Sequence, residues 1–236
     1  MLKRLPCVVL CLAVLCIGMR AAPPNDAIVS SWSYDQNSKI LTIHLQNVSG
    51  RHISAYSMSV SVRYADGSVQ TSEFSNDYLP RMASVNIAPS LRKKYGDGAF
   101  LPGTTHNEGV FSPAPKVADV LVKVDVVAYT DATAQVQNQQ AFNQLLARRK
   151  AEVLAFQKAS ATIAQSSDSK AAAEEIGRLA DAAKKESTLN DPQTDLETAL
   201  RHLATRAQTT NLKRLAQDLQ ARIAFYAAHT ELKEVQ

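Results

Sequence analysis

The chain has 236 residues, with 26 Lys and Arg against 22 Asp and Glu, a formal net charge of +4. That balance is too mild to demand a nucleic-acid partner, and the length suffices for one or two domains with an ordinary core. The three cysteines are Cys7, Cys11 and Cys16, so the chain beyond them has no disulfide framework, thiol nucleophile or cysteine-based zinc site.

Lys3 and Arg4 precede an apolar stretch from Cys7 to Gly18, and Ala21-Ala22 follow as small residues. That order is the pattern of a secretory signal peptide, taken here as residues 1–22. About a dozen apolar residues fall short of the ~20 that span a bilayer. An uncleaved signal that tethers the chain to the inner membrane is the alternative, because Met19 is large for a position three residues before a cut at Ala21. Leu15 does not suit a lipoprotein signal at Cys16, which reads as an ordinary apolar residue. The expected location is periplasmic or secreted.

Next come strands. Residues Ile28 to Asp35 alternate, with Ile28, Trp32 and Tyr34 on one face, and Asp35-Gln36-Asn37-Ser38 is a turn. Leu41, Ile43 and Leu45 oppose Thr42, His44 and Gln46, the period of a half-buried strand. After the turn Asn47-Val48-Ser49-Gly50, Tyr56, Met58, Val60, Val62 and Tyr64 alternate with Ser57, Ser59, Ser61 and Arg63. Asp66-Gly67 marks a hairpin, because both residues tolerate positive φ, and Ser68 to Phe74 returns. From Leu79 to Val117 prolines and glycines weaken the pattern, and one or two short strands are expected near Ala83–Ile87 and Asn107–Phe111. Ala118 to Tyr129 closes the set, with Val120, Val122, Val124 and Val126 inward and Lys123 and Asp125 outward.

A composition break follows. After Thr133 there is one Gly, Gly177, and one Pro, Pro192, and helix formers take over. Helices are expected over 135–164, 170–186, 194–207 and 211–230. The first carries Phe142, Leu145, Leu146, Val153, Phe156 and Ile163 as an amphipathic stripe. Thr194 and Glu197 are spaced as a capping box. These stripes are narrow and alanine-rich, so they favour pairing with one another or with a partner. The expected fold class is α+β, segregated, with an antiparallel immunoglobulin-like β-sandwich over 27–133 and a helical hairpin or small bundle over 134–236.

The run Leu45-Gln46-Asn47-Val48-Ser49-Gly50, then Ile53-Ser54-Ala55-Tyr56, and on to Val60, Val62, Tyr64, Asp66 and Gly67 resembles a group of uncharacterised exported bacterial proteins. Their immunoglobulin-like domain has the same strand pair. Pro102-Gly103 and Val126-Val127 with Asp131 fit the same pattern, over roughly residues 27–160. The resemblance implies the sandwich and an exported setting. It implies no activity.

No catalytic, metal or cofactor constellation emerges. The histidines are His44, His52, His106, His202 and His229, none three or four residues from another. His44 falls on an outward strand face, and His202 and His229 fall on polar helix faces. Asp119 and Asp125 lie about 20 Å apart along one strand, too far for paired-carboxylate work. Arg148-Arg149-Lys150 reads as a solvated helix face. The candidate interaction loop holds the basic run Arg92, Lys93, Lys94 and Tyr95, with His106 and Glu108 as a polar cluster. The leading expectation is an exported, non-enzymatic binding or scaffolding protein of a bacterial envelope. It would meet a protein partner or itself through the C-terminal helices, use no nucleic acid or cofactor, and touch membrane only through its leader. An envelope enzyme or small-ligand-binding protein with its site in the 79–117 loop is the alternative.

Overall fold

The structure, a computed structural model, describes residues 27–111, 116–186 and 192–235. The leader, its three cysteines and the turn at Leu189–Asp191 lie outside the described residues. The fold is α+β.

Strands β1 (Ile28–Asp35), β2 (Ile40–Asn47) and β5 (Thr105–Phe111) form a three-stranded antiparallel sheet in the order β1-β2-β5. A second sheet has the order β4-β3-β6-β7-β8. Its members are β3 (Ile53–Tyr64), β4 (Val69–Asp77), β6 (Val117–Tyr129), β7 (Thr133–Val136) and β8 (Lys233–Val235). Pairing is antiparallel except between β7 and β8, which run parallel.

The alternation read from the sequence sets the core. Leu41, Ile43 and Leu45 of β2 are fully buried, each worth about 1.5–3 kcal/mol relative to an exposed side chain. They share one cluster with Met58, Val60, Val62 and Val120 of the larger sheet. At the far end of β6 the pattern changes. The register passes from Met58 opposite Val124 to Ser57 opposite Val126, which leaves Asp125 as an extra residue. Such a bulge reverses which side chains face inward. Val127 and Tyr129 therefore join the main core, whereas Val126 and Ala128 face the other way with Ala55 and Ala134. Val126 does not continue the inward row of Val120, Val122 and Val124.

Two expectations in the middle of the chain change. Residues 83–87 are helical, within α1 (Leu79–Ile87). Alternating Ala83, Val85 and Ile87 fit a strand, but Leu79, Met82 and Ala83 are buried at helical spacing. Pro80 sits in the first turn, where its missing N–H is harmless, and Asp77 Oδ1 accepts from Leu79 N (2.9 Å). A 3-10 turn at Pro89–Leu91 and the single-turn helix α2 (Arg92–Tyr95) follow. The region expected to be a loop is thus largely regular structure.

Four helices complete the chain. They are α3 (Gln139–Gln165), α4 (Ser169–Glu186), α5 (Pro192–Thr209) and α6 (Leu212–Ala227). α3 starts later than expected, because residues 134–136 still pair with β6. Asn138 then caps it, accepting from Gln140 N and Ala141 N. α5 starts earlier, at Pro192, so Thr194 lies inside its first turn. Glu197 Oε1 accepts from Arg201 Nε (2.8 Å). Asn211 caps α6 by accepting from Arg214 N (3.2 Å).

The apolar stripes are consumed within the chain. Ile176, Leu200, Leu215, Leu219 and Tyr226 are fully buried in the same cluster as the sheets. On the sheet side, Phe142 and Leu145 of α3 lie over Ala55, Val126, Ala128 and Ala134. Small residues there let the helix approach closely.

Arg149, expected on a solvated helix face, is fully buried instead. Its Nε and Nη2 donate to the two Asp77 oxygens (2.8 and 3.0 Å), and Nη1 donates to the His229 carbonyl (2.9 Å). Nη2 also reaches Ser54 Oγ (3.3 Å). One guanidinium thereby ties α3 to β3, β4 and the segment after α6. Its neighbours differ, since Arg148 is half-buried and Lys150 is exposed.

Candidate functional site

A cleft of about 780 Å³, larger than the second one described below, opens between the serine face of β3 and β4 and the start of α3. Its floor carries Ser57 and Asp125, and its wall carries Glu73 and Ser75. Asn138, Gln140, Asn143 and Gln144 line the helix side. At the mouth Arg148 donates to Ser75 Oγ (3.0 Å) and lies 3.6 Å from Asp195 at the start of α5.

Asp125, expected on the outward face, is only 3% exposed. It does point to the outer face of the sheet, where α3 covers it. The bulge sets its position, and Gln137 N and Asn138 N both donate to its main-chain carbonyl (2.8 and 3.1 Å). Ser59 Oγ donates to Oδ2. Oδ1 has no hydrogen-bond partner, and Lys123 Nζ stands 3.7 Å from it. Ser57 Oγ is likewise buried without a partner. Buried polar atoms nearly always find partners, and among the described residues these two stand with the Tyr78 and Tyr226 hydroxyls as buried side-chain atoms without a hydrogen bond.

His106 and Glu108 lie on β5, not in a loop. His106 Nε2 is 3.1 Å from Glu108 Oε1, and Tyr56 donates its hydroxyl to the same oxygen (2.7 Å). The His106 ring stands 6.2–6.3 Å from the rings of Tyr56, Tyr78 and Phe100. Burial and the Glu108 bond hold the Tyr56 hydroxyl far above the ordinary phenol range, and burial pushes Tyr78 up to about 12. Both phenols are therefore protonated at neutral pH. Arg92, Lys93, Lys94 and Tyr95 are all exposed on α2, where Lys94 lies over the Tyr95 ring (4.9 Å). Among the described residues no hydrogen bond or ring contact joins this basic run to His106 or Glu108.

On the outer face of the smaller sheet, Ser33 Oγ is 3.0 Å from His44 Nε2, and His44 Nδ1 is 2.8 Å from Asn107 Oδ1. A nucleophilic serine also needs a concave site and oxyanion donors, and neither cleft includes these residues. His229, expected on a polar face, is 9% exposed. It stacks on Phe225 (4.8 Å) because the chain turns there toward β8. Among the described residues no group of three or more His, Cys, Asp or Glu could hold a metal ion, and no helix is long and apolar enough to cross a membrane.

The second cleft, about 310 Å³, lies among α1, α3, α5 and α6 and includes Glu152, Arg206, Arg222 and Tyr226. Burial, aided by the Asp77 charge, raises the Glu152 carboxyl above its ordinary value of 4.5 despite Arg148 and Arg149. The folded chain thus holds this proton more tightly than the unfolded chain. Stability falls as pH rises from about 4.5 toward the raised value. Glu152→Gln is expected to raise the melting temperature at pH 7 and leave it unchanged at pH 4. Equal shifts at both pH values would show that charge burial is not the cause. Asp218 has the opposite sign, since Arg206 and Arg222 overcome its burial and hold it below 3.8. Its stabilisation is lost only in acid.

No protein-family model matches the chain, and no curated protein matches it. Among solved structures it is similar to a hypothetical protein from Peptoclostridium difficile 630, at 14% identity and a TM-score of 0.32. That match covers 52% of this chain and 92% of the other. A likeness of that size carries no argument about fold or function.

Proposed function

We propose that this chain is an exported binding or scaffolding protein of a bacterial cell envelope, built on an immunoglobulin-like sandwich. The observation that carries the binding reading is the cleft of about 780 Å³ between the serine face of β3 and β4 and the start of α3, lined by Ser57, Asp125, Gln140 and Gln144. The strand orders β1-β2-β5 and β4-β3-β6-β7 support the sandwich reading, since they pair first, second and fifth strands against third, fourth and sixth. The positive, apolar and small residues of positions 3–22 support export. The inward burial of the helical stripes leaves mainly the polar outer faces of the helices for any protein partner.

Two measurements test this reading with the full chain. The mass of the protein recovered from the envelope fraction should place its first residue between positions 19 and 23. An intact leader on a cytoplasmic protein would remove the exported half of the proposal. A photo-crosslinking residue at Gln144, on the cleft wall, should capture a discrete molecule in cells, and the same residue at exposed Gln208 should not. Identical patterns from both positions would remove the binding half.

A further inference from the structure

We infer that the free edge of β6 pairs with the same edge of a second copy of this chain, antiparallel and two-fold about Leu121. This surface is separate from the larger cleft, and the pairing does not depend on what the cleft binds.

The edge is free because β7 is short. β7 flanks β6 only at residues 126–128. The chain then leaves the sheet, with Gln137 N and Asn138 N donating to the Asp125 carbonyl. Among the described residues no strand pairs with the far side of β6 from residue 117 to residue 124. In an antiparallel pair alternate residues aim their N–H and C=O at the neighbour. Every second residue of this stretch therefore aims them away from β3, into the open side. Val120 is one of these, since its N–H donates to Asp119 Oδ1 (2.9 Å) rather than to a strand. Val122, two residues on, points the same way.

Burial follows the same boundary. Beside β7, Val126, Val127, Ala128 and Tyr129 are all buried. Beyond it, Val122 and Val124 lie opposite buried Val60 and Met58 on the core side, yet are only half-buried. Leu121, on the other face, is 49% exposed. An open edge with apolar residues on both faces is a template for another strand.

The stretch is its own complement. Laid antiparallel on itself about Leu121, it sets Val120 opposite Val122 and Asp119 opposite Lys123. Val120 and Val122 both aim their backbone groups outward, so they exchange hydrogen bonds across the axis. Leu121 meets its own copy as a non-hydrogen-bonded pair, the closer kind, with Cα atoms about 4.5 Å apart. Asp119 and Lys123 cross twice, once on each side of the axis, and opposite charges in facing positions stabilise a sheet. Charges on an edge ordinarily deter pairing, but here they select one register. A slip of two residues either way sets a charged residue opposite Leu121 and loses both crossings. The present partners of the two charges leave them open to solvent, with Asp119 3.1 Å from Arg63 and Lys123 3.7 Å from Asp125.

The test is the mass of the full chain, as recovered from cells, by sedimentation equilibrium over a range of concentrations. The mass should double as concentration rises. Asp119→Lys and Lys123→Asp each set like charges opposite one another and should each weaken the dimer about tenfold or more. An equimolar mixture of these two variants restores unlike charges on both sides of the axis and should dimerise as the parent does. Leu121→Lys, which touches neither ion pair, should also weaken the dimer about tenfold or more, and it is the second route if a charge variant loses its fold by circular dichroism. A mass that stays monomeric up to about 1 mM would overturn the inference. A dimer that the single variants leave intact would overturn it too, by placing the contact elsewhere. Dissociated single variants whose mixture also stays monomeric would remove the register and the inference with it.

Discussion

Replacing Arg149 with leucine should cost about 3–5 kcal/mol of folding stability, the range for breaking one side of a buried ion pair. The side chain is 0% exposed and its partner Asp77 is 11% exposed, so solvent cannot take over the released charge. Three acceptors are stranded at once, namely the Asp77 carboxylate, the His229 carbonyl and Ser54 Oγ. Arg149→Lys should recover little, because one ammonium cannot reach a bidentate carboxylate and a carbonyl on another segment together. The exposed pair Arg63–Asp119, 60% and 58% accessible, is the internal control. Its loss should change stability by less than about 1 kcal/mol. Urea unfolding of the three variants decides the matter, and a loss below 1 kcal/mol for Arg149→Leu would sink the idea that this residue locks the helices to the sheets.

Gly98→Ala is expected to be the second large loss, about 2–5 kcal/mol. Two costs combine. Gly98 has φ +87, where an L side chain costs roughly 1–2 kcal/mol. An added Cβ would also stand 2.8 Å from Met82 N and 2.9 Å from Arg81 C. Those are backbone atoms of α1, and they cannot rotate aside, so overpacking adds about 1–3 kcal/mol. Gly67 separates the two costs. Its φ is +85, and nothing lies within 4 Å of its added Cβ. Gly67→Ala should therefore lose only the conformational part, about 1 kcal/mol. Equal losses at both positions would show that the turn at Gly98 yields and that α1 is not pressed against it.

Much of the sheet was legible because a side-chain period of two is a strong signal. Leu41, Ile43 and Leu45, and Tyr56 through Tyr64 on β3, lie where alternation puts them. The cleft was not legible, because its floor depends on one extra residue in β6. The adjacent Val126-Val127 pair was the available sign, since two neighbouring valines fit a strand covered on both faces, and both are buried. Arg149 was hidden for another reason. Within Arg148-Arg149-Lys150 nothing local separates the buried guanidinium from the exposed lysine, and the difference comes from Asp77, distant in sequence. α1 shows the remaining limit, because Ala83, Val85 and Ile87 satisfy a strand period while Leu79, Met82 and Ala83 satisfy a helical one. Context from Pro80 and Asp77 decided between them.

The parallel pairing of β7 with β8 joins residue 133 to residue 233, and this has a consequence for timing. A ribosome adding about 5–20 residues per second makes β8 roughly 5–20 s after β7. Throughout that interval the β7 edge has no neighbour, and the Arg149 donor aimed at His229 has no acceptor. An open edge invites pairing with another chain. The newly made protein therefore passes through a period in which its sheet is complete on one side only. Holding the chain extended until residue 235 is available would protect it, and the export before folding proposed above would have that effect.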